Sequence, residues 1–530
     1  LDNSNHPLKA KRGVDDAEIW KRLTPPAWHP GEIVLGANPD CRALYAASEL
    51  VRKTKLITGK TLPLVAAPTK GAAFRIWMGR EAAVKGLGEE ATAKVLQKLK
   101  GTDGYVIHRK DKDIYLFGGR ERGVIFAAAK LIELVSDFCW WRPQQDVGMS
   151  FTPQKTLDFA SVRTFGDRPV FQHRTFFVGC CPVNYAFDDW AAHHGLTRCY
   201  GVERVFNVEA YHAKAHGFNA SIGANFINLA LRGHRDHEEF WPMVNGKRQV
   251  DADGQPCYSN PEVVKATLEN VNRILDDAPD EWDQFGFNYA DSWLCCECPE
   301  CQKPIKLPQG GELECHSMLA GKDPVFRSTR TYMVANEIAK AVTARYPEKP
   351  VEMLAYIYTA APPAVKLHPA IRVLYATYAS GTMRFPSKDQ TWPSGEGREN
   401  VSWATRTERW CSREPQAMGM YEYYSTPAPG LYAEACAENL KQMADVGGTW
   451  HVHTESSEKG RLWDVNAVEQ LLIAQLFWNP YRDVNALRAD LLRRIYGKGA
   501  DDLLEFYKLF APHWFDINFK TWMSCHTPPA

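Results

Sequence analysis

Three acids stand where runs of β-forming residues give way to loops. They are Asp291 after Gln284–Ala290, Glu422 in Met420-Tyr-Glu-Tyr-Tyr424, and Glu455 in Trp450-His-Val-His-Thr-Glu455. Separate strand ends that deliver carboxyl groups to one place suit glycosidic bond cleavage. One protonated acid assists the leaving oxygen while a second, ionised, acts as nucleophile or base. Phe285, Phe287 and Tyr289 alternate with small or polar residues, as on a strand, and the alternation stops at Asp291. Tyr421, Tyr423 and Tyr424 give Glu422 the apolar surroundings that raise a carboxyl's pKa by desolvation. The competing reading makes Glu422 a satisfied interior acid hydrogen-bonded to those phenols.

Just beyond Asp291, Cys295, Cys298 and Cys301 follow at x2 spacing, with Cys296 between them and Cys315 further on. Cys295, Cys298, Cys301 and Cys315 have the spacing of a tetrathiolate zinc site. The chain's 14 cysteines equally supply disulfides in an oxidising compartment, or remain as free buried thiols. Under each reading the cluster pins the loop after Asp291. Any zinc is then structural, and catalysis requires no cofactor.

Aromatic residues are abundant, with 17 Trp and 21 Tyr in 530 residues, and flat amphipathic rings suit sugar faces as well as cores. Tyr356, Tyr358, Tyr375 and Tyr378 crowd two strand ends, and Trp293 and Trp450 flank two of the acids. The expected substrate contacts are Tyr421, Tyr423, Tyr356, Tyr378, His234, Trp293 and Trp450, against rim packing as the alternative for each ring. His234 and His237 follow another strand, where a solvated polar loop competes with a binding role.

The formal net charge is zero, from 63 basic and 63 acidic residues, so nothing electrostatic points to nucleic acid or an anionic membrane. No apolar run approaches the roughly 20 residues of a membrane span. Neither a Gly-x-Ser-x-Gly elbow nor a phosphate-binding glycine loop is found, which removes serine hydrolases and nucleotide enzymes. The chain opens at Leu1 in a polar segment reaching about Pro30, as after a removed leader or a truncation for expression. With the cysteine content, this points to a secreted, periplasmic or cell-surface protein. Oligomeric state leaves no signature.

The acids must be positioned by a larger frame. Residues 31–160 read as a small α/β domain: a strand at Ile33–Leu35, a helix at Cys41–Lys53, a strand at Phe74–Met78, and a hairpin of Tyr105–His108 with Ile114–Phe117. Apolar residues recur at helical spacing from Val124 to Val135. Over 165–465, strand-like and helix-like segments alternate, as in a TIM-type (β/α)8-like barrel, whose catalytic groups stand at the carboxyl ends of the strands. Seven strands are expected: 170–177, 225–231, 284–291, 351–358, 372–380, 417–424 and 448–455. Helices are expected at Pro261–Ile274, capped by Asn260, and at Thr331–Tyr346. Residues 466–530 form a closing helical layer.

The string from Phe117-Gly-Gly-Arg-Glu-Arg-Gly-Val to Cys139-Trp-Trp-Arg-Pro143 resembles the small domain preceding the barrel in α-glucuronidases and in family 20 hexosaminidases. Phe240-Trp-Pro-Met-Val-Asn-Gly-Lys-Arg248, Tyr289-Ala-Asp291 with Cys298 and Cys301, Met420–Tyr424, and Leu476-Phe-Trp-Asn-Pro480 with Tyr496-Gly497 resemble the domain of unknown function 4838. Its members include endo-β-N-acetylglucosaminidases of glycoside hydrolase family 163. The resemblance implies a glycosidase cutting a β-linked N-acetylhexosamine in a complex glycan, retaining in outcome, with Glu422, Glu455 and Asp291 as its acids. In such enzymes the substrate's acetamido group can replace the protein nucleophile. The adjacent Asp-Glu pair of many acetamido-assisted enzymes is missing at Glu422. An α-glucuronidase-like or other polysaccharide exo-glycosidase, and a catalytically silent glycan-binding protein, are the alternatives.

Overall fold

The computed structural model describes residues 30–511 apart from 144–147, 179–184, 201–220, 226–230, 232, 251–253, 279–281, 289–291, 293, 318–322, 357–358, 377–408, 411, 413–417, 425–430 and 457–460. The chain forms two units, one of residues 1–218, 424–441 and 454–530, the other of 219–423 and 442–453. The expected division at 31–160, 165–465 and 466–530 follows patterns along the sequence, whereas these units group segments by contact. Within the first unit, side chains bind the small domain to the segment 173–178 and to the C-terminal helices.

In the first unit, β1 (Gly31–Val34), β2 (Leu64–Val65), β3 (Phe74–Met78), β4 (Tyr105–Lys110), β5 (Asp113–Gly118) and β8 (Phe165–Asp167) form a sheet in the order β2-β1-β3-β5-β4-β8. Its first three strands and β5 pair in parallel, while β4 pairs antiparallel with β5 and β8. The expected hairpin is β4–β5, turning at Asp111 with φ 53°. Asp40 caps α1 (Cys41–Thr58) by accepting from the backbone N–H of Arg42 and Ala43, and Gly59 ends it in the left-handed region. Helices α2 (Arg80–Leu87) and α3 (Glu89–Leu96) bury Ala82, Ala83 and Leu96 with Val34, Trp77, Tyr115 and Phe117. α4 (Gly123–Val135) packs on α1 and on β4 and β5. A two-strand ribbon, β6 (Cys139–Trp140) with β7 (Met149–Ser150), comes after it.

Next come β9 (His173–Val178), α5 (Tyr185–His193) and β10 (Arg198–Tyr200). Arg174 on β9 is fully buried, and its Nη2 donates to Asp103 Oδ2 at 2.9 Å. The second unit contributes β11 (Ser221–Asn225), the ribbons β12 (Met243–Val244) with β13 (Lys247–Arg248) and β15 (Ile305–Lys306) with β16 (Glu312–Leu313), β14 (Gln284–Asn288), β17 (Val351–Ala355), β18 (Ile371–Ala376), β19 (Met418–Glu422) and the start of β20 (His451–Ser456). Its helices α6 (Pro261–Asp276) and α7 (Pro324–Arg345) start on proline after a capping side chain, Asn260 and Asp323 respectively.

The large sheet has eight strands in the order β10-β9-β20-β19-β18-β17-β14-β11. The ladders β9·β10, β11·β14, β14·β17, β17·β18 and β18·β19 are parallel. Among the described residues it is a curled half-barrel with β10 and β11 at its edges, where a TIM-type (β/α)8-like barrel with seven legible strands was expected. The uncounted strand is β10, whose three residues are too short to show an alternation. β11 lies ahead of the expected 225–231 because its register sets Gly223 opposite Gly286, where a Cβ on Gly223 would meet the Gly286 carbonyl at 1.9 Å. Such a strand needs glycine and does not look β-forming.

Gly419 plays a like part on β19, since a Cβ there would meet the His451 backbone oxygen at 2.4 Å. Gly419→Val is expected to cost about 1–3 kcal/mol or more through overpacking. Its thermal midpoint, measured beside that of the native chain, checks this; equal midpoints would show that the sheet relaxes around the side chain.

The chain returns to the first unit through most of α8 (Ala433–Asp445), then α9 (Arg461–Trp478), α10 (Val484–Tyr496) and a helix over 500–511. Trp478 fastens this helical layer to the small domain: its indole N–H donates to Asp167 at 2.9 Å and its ring meets Tyr105 and Phe126. Glu469 accepts from the backbone N–H of Tyr432 and Ala433 and is bound by Arg488, which also clamps Glu434. Among the described residues no helix is long and apolar enough to cross a membrane.

Candidate active site

Among the described residues, five of those singled out by chemistry stand at or just past strand ends: Tyr356 after β17, Tyr421, Glu422 and Tyr423 on and beyond β19, and Glu455 on β20. Glu422 is the last residue of β19 and is 5 % exposed. Along the strand, Met418, Met420 and Glu422 are buried at alternate positions, whereas Tyr421 and Tyr423 are half-buried between and beyond them. The pleat therefore sets Glu422 on the face opposite the two tyrosines. Tyr421 stacks on His453 of β20 with ring centroids 3.9 Å apart and planes 15° apart, and Tyr423 lies 5.1 Å from Tyr421. Tyr421, Tyr423 and His453 thus form one aromatic row at adjacent strand ends.

Glu455 is on β20, two positions beyond His453. Asp291, Trp293, Tyr378 and Tyr358 lie outside the described residues. Tyr356 is half-buried just past β17, where its carbonyl accepts from the backbone N–H and the hydroxyl of Thr359 in a tight turn. Asn288, the last residue of β14, accepts from the Leu354 N–H at 3.3 Å and so holds the ends of β14 and β17 together. His234 sits in a loop with His237 and Phe240, its ring 5.8 Å and 5.4 Å from theirs.

Trp450, expected among the substrate contacts, is placed differently. It immediately precedes β20, at the amino end of that strand, and is buried. Its indole N–H donates to Glu352 Oε2 at 2.9 Å, His451 Nδ1 lies 2.8 Å from the same oxygen, and Gln284 donates to Oε1. Glu352 is near the start of β17 and Gln284 begins β14, so this network belongs to the end of the sheet that serves stability. Sequence reasoning missed Glu352, whose only signal is a charged residue inside an otherwise apolar strand. Glu352→Leu would leave the Trp450 and Gln284 donors buried without an acceptor, at about 1–3 kcal/mol for each group. A lowered thermal midpoint is the expected result.

The thiols also regroup. Cys257, Cys296, Cys298 and Cys301 bring their sulfur atoms within 4.8 Å of one another, all four buried. Cys298 and Cys301 belong to the expected set, but Cys295 and Cys315 are outside the cluster and half-buried. The x2 spacing of Cys295 with Cys298 does not decide membership, because Cys296 faces the ribbon β12–β13 and accepts from the Met243 N–H. No local pattern could have supplied Cys257, which arrives from the segment before α6.

Residues 146–508 match the model of a family described as a domain of unknown function, DUF4838. The chain belongs to this family. No curated protein matches it by sequence. Among solved structures it is similar to a family GH115 4-O-methyl-α-glucuronidase with specificity for decorated arabinogalactans, at TM-score 0.55 and 12% identity, covering 90% of this chain and 60% of that one. It is also similar to a GH138 enzyme targeting pectin rhamnogalacturonan II, at TM-score 0.52 and 12% identity, covering 89% of this chain and 54% of the other. The chain thus spans little more than half the length of these two structures, and at such identities the likeness is one of fold. This DUF4838 chain shares its fold with barrel-like glycoside hydrolases.

Proposed function

We propose that this DUF4838 chain is a glycoside hydrolase acting on a complex glycan, with its reaction centre at the carboxyl ends of the parallel strands. The observation that carries the reading is the aromatic row Tyr421, Tyr423 and His453 at strand ends, with the buried acid Glu422 closing the same strand β19 on its other face. Aromatic faces bind sugar rings, and carboxyl groups at strand ends supply general acid and base or nucleophile. In this proposal Glu422, Glu455 and Asp291 are the candidate acids; Glu422 lies on the face of β19 away from the aromatic row, so its share in the chemistry is what the variants must decide. Tyr421, Tyr423, Tyr356, Tyr378, His234 and Trp293 contact the glycan. Trp450 is left to the structural network described above.

The bond proposed is a β-linked N-acetylhexosamine, as in the family 163 enzymes that the sequence resembles, cleaved with retention and with or without acetamido assistance. The second reading is an exo-glycosidase of acidic polysaccharide, favoured by the fold likeness to a glucuronidase and to a pectin-targeting enzyme. Incubation of the chain with N-glycans, arabinogalactan and pectin fragments, followed by mass spectrometry of the products, separates them. Shortened glycans ending in N-acetylhexosamine support the first, released uronic acids the second. Binding without any product would make the protein a glycan-binding module.

A further inference from the structure

We propose that Cys257, Cys296, Cys298 and Cys301 bind one structural zinc ion as a closed tetrathiolate. Two segments supply the four side chains: Cys257 comes from the segment leading into α6, and Cys296, Cys298 and Cys301 from the loop leaving β14, Cys298 just before and Cys301 within its short helical turn, Pro299–Gln302. Their sulfur atoms all lie within 4.8 Å of one another. Cys257 Sγ is 3.6 Å from Cys298 Sγ and 3.7 Å from Cys301 Sγ. Tetrahedral zinc with bonds of about 2.3 Å separates its sulfurs by about 3.8 Å. A disulfide would instead draw one partner to about 2.05 Å and leave the other two thiols aside. An iron–sulfur cubane would place iron and sulfide between the thiolates and spread them beyond this spacing.

The surroundings suit charge on sulfur. The Met243 N–H and Arg248 Nη1 both donate to Cys296 Sγ at 3.4 Å, and Ser259 Oγ is 2.8 Å from Cys301 Sγ. Four thiolates around one Zn²⁺ carry a net double negative charge, which the Arg248 guanidinium partly offsets. Such partners orient the ligands. Soft thiolates select zinc over magnesium or calcium, and a site with four protein ligands keeps no open position for substrate or water. The ion would join the ribbon β12–β13, the approach to α6 and the loop that follows Asp291. It would thus act on that loop without taking part in bond cleavage, and it stands independently of the glycosidase reading.

Elemental analysis of the full chain, purified without added metal, is expected to give one zinc per chain. After exchange into cobalt, the intense visible bands of a tetrahedral site and a thiolate-to-cobalt charge-transfer band should appear. Cys257→Ser and Cys296→Ser should lower bound zinc from one per chain to near zero, whereas Cys295→Ser and Cys315→Ser should keep it. If the serine variants of the cluster do not fold, the native chain's zinc content and cobalt spectrum still decide. Finding no metal, whether with four free thiols or with disulfides in the alkylated digest, would overturn the proposal. So would iron with sulfide, or loss of zinc on changing Cys295 or Cys315.

Discussion

Glu422→Gln and Glu455→Gln are each expected to lower kcat/KM by about 10²–10⁴-fold on the glycan identified by product analysis, the range supplied by a positioned proton-transfer group. Both changes remove a titrating carboxyl at nearly constant volume, so the thermal midpoint should move little in comparison. That contrast separates chemistry from folding. Glu422 is the sharper test, because its strand alternation places it opposite Tyr421 and Tyr423 and the buried side of β19 holds it. A buried carboxyl at a strand's carboxyl end has the desolvated setting of a general acid. It also has the setting of a satisfied interior acid. If Glu422→Gln turned over at the native rate while Glu455→Gln did not, Glu422 would be structural, and the partner of Glu455 would have to be sought at Asp291. If both retained the native rate, the strand-end assignment would fail altogether.

How far these features could be read from the sequence depends on whether their signals are local. Asn260 and Pro261 announced α6 because a cap and a first-turn proline act within one turn. The hairpin β4–β5 was visible from its alternation and short turn. α7 began earlier than its apolar periodicity suggested, since Asp323 and Pro324 start it ahead of the polar stretch Arg327-Ser-Thr-Arg-Thr331. β11 escaped because packing against Gly286 demands glycine where propensity would ask for a branched residue. The strand-end positions of Glu422 and Glu455 were legible by the same alternation as their strands. The face on which Glu422 lies, the amino-end role of Trp450 and the membership of Cys257 were not. Each depends on which segments meet in space, and Glu352 had no sequence neighbour to announce that it would gather Trp450, His451 and Gln284.

Asp103→Asn should destabilise the first unit by about 3–5 kcal/mol, the cost of removing one partner from a buried ion network. Asp103 is 2 % exposed and takes Arg122 Nε at 2.6 Å, Arg174 Nη2 at 2.9 Å and Arg120 Nη1 at 3.5 Å. Burial alone would push its carboxyl up, but the three guanidiniums hold it below the ordinary aspartate value of 3.8. Arg174 shows the other side of the balance: burial lowers it to about 10, because it shares that one carboxylate with two other arginines. The net electrostatic benefit therefore sits on Asp103. Asparagine keeps the shape but leaves Arg174 charged and fully buried, with carbonyls of Gly195, Phe171 and Gln172 and the rings of Trp478 and Phe126 as its remaining partners. Since the folded pKa of Asp103 is depressed, its contribution is complete above the unfolded value and is lost as pH falls through the folded one. The difference in denaturation midpoint between native and Asp103→Asn chains should thus stay constant from neutral pH to about pH 5 and shrink below about pH 4. A difference that persisted unchanged into strong acid would show that Asp103 acts by shape and hydrogen bonding, and that the small domain is not held to β9 by charge.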